Sequence, residues 1–342
     1  MKRQDALGRF REQAGQIIEA RDGMFWELLF RRRTELAGRL RDGLERLAGQ
    51  GAGSRERCRG IYGSFLRTDI LDGKYRILLQ MVGEGYILDP LPAETWADLQ
   101  DFFQGLEKAG KDLAKEKLRY AGKVNDWDVR YLIADRVMEH AREIAFLLRF
   151  QLWKEENQKE IRMLIPGDVP RILRLGEYRD QGEIIFRTDG RPGGEERMKE
   201  LLKQSFAFPY ALQNQYFTRC AFRKLSAAER QLQYITFDGC VLEQISFAGA
   251  SLWGARFRDC EITGCSFSGA DLSMARFENC RFRDNDWKDA ALLHTFCAPG
   301  RPPGLGAEQQ AEVLTEEGRY DRAIFLCGAG QAGQGLHPSG RL

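Results

Sequence analysis

Ala250-Ser251-Leu252-Trp253-Gly254-Ala255-Arg256-Phe257-Arg258-Asp259-Cys260-Glu261-Ile262-Thr263-Gly264-Cys265-Ser266-Phe267-Ser268-Gly269 is the stretch on which the fold turns. Within it Leu252, Phe257, Ile262 and Phe267 stand five residues apart, and a small residue precedes each by two: Ala250, Ala255, Cys260 and Cys265. A step of five fits neither the 3.6-residue period of a helix nor the two-residue period of a strand. It fits a chain that turns a corner every five residues, each side pointing one bulky and one small side chain inward. Outward from this core the step holds from Phe217 to Leu292.

Four such sides close a square coil of twenty residues, and at that spacing the residue types sort into columns. One column is Phe217, Phe237, Phe257 and Phe277. A second is Phe222, Leu242, Ile262 and Phe282, accompanied by Cys220, Cys240, Cys260 and Cys280. A third is Ala227, Phe247, Phe267 and Trp287, and the fourth is Leu232, Leu252, Leu272 and Leu292. Ala270-Asp271-Leu272-Ser273-Met274 gives the sharpest match to a known pattern: the segment resembles the pentapeptide-repeat family, whose consensus is Ala-(Asp/Asn)-Leu-x-x. The resemblance implies a right-handed quadrilateral β-helix of about four coils over residues 215–296, stacked at the ~4.8 Å inter-strand spacing. It implies no activity, because function lives in sites placed on a fold.

The pattern breaks in places, two of them polar. Arg230 stands where a small inward residue belongs, so the first coil is expected to bulge outward there as a short helical turn. Asn285 replaces the small residue before Trp287, which points to a frayed or polar-capped last coil.

The cysteine column invites a disulfide or metal reading. Stacked layers hold parallel Cβ vectors near ~4.8 Å apart, beyond the usual disulfide Cβ separation. A metal needs thiolates converging on a point rather than lined along a rod. Cysteine as a small hydrophobe filling the inward site is the simpler account, and neither metal nor cofactor is expected.

The rest of the chain is organised differently. Leu7, Phe10, Ala14, Ile17, Phe25, Leu29, Leu36, Leu40, Leu44 and Leu47 recur at helical intervals. Further helices are expected over 54–82, from about 93 to 121, and from the Asn125-Asp126 cap to near 157. The whole is an α+β multidomain chain. An α-helical domain spans 1–157, and a connector with a small hairpin and a capping helix spans 158–214. The β-helix then occupies 215–296, with a C-terminal cap and flexible tail over 297–342. The helical domain is read as an antiparallel bundle, whose heptad-like spacing would equally serve homo-oligomerisation. Ala323-Ile324-Phe325-Leu326 followed by Gly328-Ala329-Gly330-Gln331-Ala332-Gly333 imitates a strand and dinucleotide fingerprint. Only nine residues follow Gly333, too few for the required helix and second strand.

Composition narrows the function classes. The 342 residues carry 52 basic and 50 acidic side chains, eight cysteines and three histidines. Within 215–292 ten basic residues face ten acidic ones, a net charge of zero. Some pentapeptide-repeat proteins mimic DNA and protect topoisomerases, and that mimicry needs a strongly negative surface that this count does not give. Arg31-Arg32-Arg33 is diluted by Glu27, Glu35 and Asp42, so no specific nucleic acid is expected. His140 sits alone in a helical run, and His294 and His337 have no identifiable partner; catalytic residues are expected to be none. Asp126 and Asp128 suit a helix start rather than a reaction. No apolar run reaches a membrane span, and Met1-Lys2-Arg3-Gln4-Asp5 opens no apolar leader, so a cytoplasmic location is expected. The expectation is a non-enzymatic interaction or scaffold protein binding an unidentified protein partner. The alternatives are a topoisomerase-protecting DNA mimic, or an effector or enzyme with its site in the helical domain.

Overall fold

The computed structural model describes residues 2–154, 157–165, 167–180 and 182–334. The chain divides into two compact units. One comprises Met1–Pro166, Arg171–Phe186 and Gly328–Leu342, the other Gly167–Pro170 and Arg187–Cys327.

The first unit opens with α1 (Arg3–Asp22), α2 (Phe25–Arg31) and α3 (Arg33–Gln50). In α1, Ala6, Phe10 and Ala14 recur at four-residue spacing and are buried; in α3, Leu36, Leu40, Leu44 and Leu47 do the same. Next come β1 (Gly60–Phe65), α4 (Arg67–Leu71), β2 (Arg76–Val82), β3 (Pro90–Asp98) and α5 (Gln104–Glu116). The long α6 (Asp126–Gln151) starts on a reciprocal cap. Asn125 Oδ1 accepts from the Asp128 N–H at 3.0 Å, and the Asp128 carboxylate accepts from the Asn125 N–H at 2.8 Å. The unit ends with α7 (Lys159–Leu164), β4 (Arg171–Glu177) and β5 (Glu183–Thr188). Helix α1 packs on α5, and α6 packs on both α3 and α5.

Beside this helical layer lies a five-stranded sheet, order β3-β2-β1-β4-β5, that sequence reading did not contain. β1 pairs antiparallel with β2 and parallel with β4. Residues 54–82, expected as a helix, therefore fold as two strands and a short helix, and the expected helix from 93 begins instead as β3. The physical reasons are local. β1 is buried at every position, so it lacks the alternation that marks a half-exposed strand. β3 does alternate, with Leu91, Ala93, Thr95 and Ala97 buried, and two prolines at its start bar a helix. Gly63 is required in β1: a Cβ there would lie 2.9 Å from Leu175 Cδ1. On α3, a Cβ at Gly43 would lie 2.7 Å from Leu79 Cδ1, so this glycine lets the helix close onto the sheet. The hairpin read in the connector is β4 and β5, at the edge of this sheet.

The second unit begins with α8 (Gly194–Gln204) and continues as a β-solenoid. Strands β6 (Tyr216–Thr218), β8 (Thr236–Asp238), β10 (Arg256–Arg258), β12 (Arg276–Glu278) and β14 (Phe296–Ala298) stack in parallel on one side. Strands β7 (Ala221–Arg223), β9 (Val241–Glu243), β11 (Glu261–Thr263) and β13 (Arg281–Arg283) form the next. The other two sides are joined by bridges through Ser226, Ser246, Ser266 and Asp286, and through Gln231, Ser251, Asp271 and Ala291. The register is twenty throughout, Phe237 pairing with Phe257 and Phe257 with Phe277. This is the right-handed quadrilateral β-helix, of about four coils.

Its interior is the four columns. Phe217, Phe237, Phe257, Phe277, Phe222, Leu242, Ile262, Phe247, Phe267, Trp287, Leu252, Leu272 and Leu292 are all buried, and Phe282 is partly buried in the last coil. The rings stack along the rod with centroids 5.3 Å apart for Phe237 and Phe257 and 4.5 Å for Phe257 and Phe277. Leu212 and Cys297 extend two columns by one side at either end. Every fifth residue from Asn214 to His294 turns a corner with φ between +51° and +64°. That left-handed conformation is free for Gly239 or Gly249 but costs a side-chain-bearing residue roughly 1–2 kcal/mol.

Both departures from the repeat have structural answers. The first coil does not bulge at Arg230: Ser226 and Gln231 keep their bridges, and the guanidinium lies 3.9 Å over the Phe206 ring. The cation is thus turned to an aromatic face at the end of the rod instead of into the core. Asn285 accepts the Cys265 N–H at 2.8 Å and donates to the Ile262 carbonyl at 2.9 Å, tying the last coil to the one before.

The solenoid ends are covered. At the first coil, Met198 of α8 enters the core and Arg197 donates to the Tyr216 carbonyl at 2.7 Å. At the last, α9 (Ala307–Glu312) brings Gln309, whose amide donates to the carbonyls of Trp287 at 2.7 Å and Ala290 at 3.0 Å. The chain then enters α10 (Glu317–Gln334). Ala323–Leu326 and the glycine motif after it are therefore helix, not strand and loop; residues 335–342 lie outside the described residues.

Candidate interaction surface

The inward positions of a solenoid are spent on packing, so any function must be carried by the outward ones, and here these are sorted by side. On the two stranded sides charges pair across coils. Arg258 reaches Asp238 at 2.6 Å, Arg256 reaches Glu278 at 2.8 Å, Arg223 reaches Glu243 at 2.9 Å and Arg281 reaches Glu261 at 3.1 Å. Glu278 lies below the usual carboxylate range although burial opposes this, because Arg256 and Arg276 flank it. On these sides charges of successive coils are thus largely paired.

The two bridged sides differ. Across the middle coils their outward residues are Ser246, Ala248, Ser266 and Ser268 on one, and Ser251, Trp253, Asp271 and Ser273 on the other, Asp271 being the one charge among these eight. Tyr234 and Trp253 meet edge to face at 5.3 Å at the corner of the latter. Where these two sides join, Arg230 stacks on Phe206, and from there the turn after α8 projects exposed aromatics. Phe206 is 77% exposed, Phe208 70% and Tyr210 40%. Nothing in the repeat pattern pointed to these three, which lie just before it; the signal was Phe206-Ala207-Phe208-Pro209-Tyr210, three aromatics beside a proline.

The cysteine column has a further role besides filling space. Cys240, Cys260 and Cys280 each donate an S–H to a carbonyl of the preceding coil, at Phe217 (3.5 Å), Phe237 (3.4 Å) and Phe257 (3.4 Å). Cys220 and Cys280, near the ends, are partly exposed; Cys240 and Cys260 are buried. The neighbouring Cys260 thiol and burial push Cys240 upward, and burial pushes Cys297 up to about 12. Such thiols are the opposite of nucleophilic. Among the described residues no group of three or more His, Cys, Asp or Glu side chains is placed to hold a metal ion.

His140 is not alone, as its sequence neighbours implied. Its Nε2 lies 2.5 Å from Asp22 Oδ2 and its Nδ1 lies 3.0 Å from Glu143 Oε2, with Phe25 stacked on the ring at 3.6 Å. Burial works to lower the ring's pKa, but the hydrogen bonds to Asp22 and Glu143 outweigh it and raise it, which favours an imidazolium donating from both nitrogens. A histidine with both nitrogens engaged is a clamp between α1 and α6 rather than a general base. Of the arginine run, Arg32 is held by Glu35 and Asp101 and Arg33 stacks on Phe30. Asp128 serves the α6 cap and Asp126 pairs with Lys117. His294 is a corner residue of the solenoid, and His337 lies outside the described residues. No helix of the described residues is long and apolar enough to cross a membrane.

Residues 211–287 match the family described as "Pentapeptide repeat region", and the helical region ahead of them matches no family. No curated protein matches the sequence. Among solved structures the chain is similar to QnrB1, a plasmid-mediated fluoroquinolone resistance protein, at 12% identity over 35% of this chain and 96% of that one, TM-score 0.19. It is similar to a pentapeptide repeat protein from the Arabidopsis thaliana thylakoid lumen at 14% identity, over 35% of this chain and 92% of that one, TM-score 0.16. It is also similar to HetL, involved in heterocyst differentiation regulation in Nostoc sp. strain PCC 7120, at 16% identity over 26% and 52%, TM-score 0.11.

Proposed function

We propose that this chain, whose residues 211–287 form a pentapeptide-repeat region, is a non-enzymatic interaction or scaffold protein that seats a protein partner on the two sparsely charged, bridged sides of its solenoid. The observation that carries the reading is the exposed aromatic group Phe206, Phe208 and Tyr210 beside sides that carry a single charge, Asp271, in their middle coils. Interface cores are enriched in aromatics and depleted in charge, and a few such anchors supply most binding energy. The first unit then serves as a second partner-binding or self-associating part, and the cytoplasm is the proposed location. Paired, balanced charge on the other two sides weighs against DNA mimicry; no protection of gyrase in a supercoiling assay is the expected result.

The test is a crosslinking capture with the full chain and with the F206D/F208D double variant. Both substituted side chains are exposed, so the fold should be kept, as circular dichroism checks. Partners captured by the parent and lost by the variant support the proposal. An unchanged set of captured partners would remove this surface from consideration.

A further inference from the structure

In the first unit α5 and α6 pack as a hairpin, and the end where they join carries apolar side chains that the fold leaves uncovered. Leu118 is 73% exposed, Trp127 55% and Tyr131 51%. The three share that end. Lys117, next to Leu118, pairs with Asp126, next to Trp127, and the Tyr131 ring lies 6.2 Å from the Trp127 ring. The core does not require them there: α5 buries Leu106, Ala109 and Leu113, and α6 starts its buried face with Val129 and Ile133. Large apolar side chains grouped in water mark a contact surface.

The surroundings of this tip are basic. From Lys108 to Tyr131 seven basic side chains stand against four acidic ones, a net charge of +3. Each carboxylate is answered within the unit: Asp112 by Arg21, Glu116 by Arg119, Asp126 by Lys117 and Asp128 by Arg3. Lys108 and Lys111, exposed three residues apart on α5, enter no ion pair among the described residues, and Arg130 lies 5.4 Å over the Trp127 ring. Size and chemistry then choose the occupant. Two helix ends about 10 Å across offer far less than the ~800 Å² that each partner gives to a standard protein interface. A nucleic acid would meet the cations but make no use of an exposed leucine. An anionic bilayer uses all three kinds of side chain: aliphatic in the acyl boundary, Trp and Tyr at headgroup level, and cations on the headgroup charges.

We propose that the α5–α6 tip docks on an anionic lipid surface, Leu118 entering the acyl boundary with Trp127 and Tyr131 beside it, and Arg119 and Arg130 meeting the headgroups. This goes beyond the partner surface of the solenoid and rests on different residues. The test is flotation of the full chain with vesicles of phosphatidylcholine alone and of phosphatidylcholine with about 30% phosphatidylglycerol. The chain should float with the anionic vesicles and not with the neutral ones, and raising salt from about 0.1 M to about 0.5 M should weaken the binding. Arg119→Gln/Arg130→Gln should weaken it about 25-fold, fivefold for each cation near an anionic surface. Leu118→Ser/Trp127→Ser leaves the charge unchanged and should weaken it about 10- to 100-fold through lost apolar burial. All four positions are exposed, and circular dichroism checks that the fold is kept. No flotation with anionic vesicles, or equal flotation with neutral ones, overturns the proposal. So does anionic binding that Leu118→Ser/Trp127→Ser leaves intact, which would reduce the attraction to charge alone, or binding that Arg119→Gln/Arg130→Gln leaves intact.

Discussion

At the residue scale the corners of the solenoid set the finest constraints. Each needs a left-handed φ, so Gly249 and Gly254, both at φ +62°, look equivalent by conformation. Space separates them. A Cβ at Gly249 would meet the flexible Glu229 Cγ at 3.5 Å, whereas one at Gly254 would meet the Tyr234 ring at 2.9 Å. Gly249→Ala should therefore cost about 1–2 kcal/mol and Gly254→Ala more, because the Tyr234–Trp253 contact must also shift; urea denaturation of the two variants checks the order. Legibility at this scale was uneven. Arg230 and Asn285 were visible as exceptions, but their solutions lay in Phe206 and in the Ile262 carbonyl, which no local pattern connects to them. His140 shows the same limit: its partner Asp22 is 118 positions away.

At the element scale a coil is stable because its neighbours bury it. Phe257 is the middle of a stacked column, in contact with Phe237 and Phe277. Phe257→Ala should cost about 3–5 kcal/mol, the range for a large aromatic lost from a core. The readout can be the thiols themselves. In the parent Cys240 and Cys260 should resist a thiol reagent under native conditions and react only on unfolding, while Phe257→Ala should speed their reaction. Rapid native labelling of these two cysteines in the parent would overturn the account of the column. The repeat made these elements legible because one side chain in five reports the same inward site many times over. The first unit offered no such repetition. β1 is uniformly buried, β2 nearly so, and a short apolar run of that kind carries no period to separate strand from helix.

At the scale of the whole molecule, stability should depend on pH through the His140 clamp. Burial works to lower the imidazolium's pKa, but the hydrogen bonds to Asp22 and Glu143 outweigh it, and the value stands above the ordinary 6.5. A group whose folded pKa is raised stabilises the fold fully below its unfolded value and loses that contribution as pH rises through the folded one. The groups facing His140 are Asp22 from α1, Glu143 and Arg136 from α6, and the Phe25 ring. The first unit's urea midpoint should therefore fall as pH rises above about 6.5, and His140→Gln should flatten that fall. A parent profile that is level or rising across this range would show that the clamp is not an imidazolium.

The amino-acid sequence by itself determined the solenoid: its period, its four columns and the residues inside them. A five-residue step closes into a square coil by local geometry alone, and every coil restates the rule. Tertiary structure alone decided the sheet of the first unit and the Asp22–His140 clamp. It also decided which charges pair across the stranded sides, since that depends on which coils lie next to one another. Those features rest on contacts between residues far apart in the chain, each made once, and a contact made once leaves no period to read.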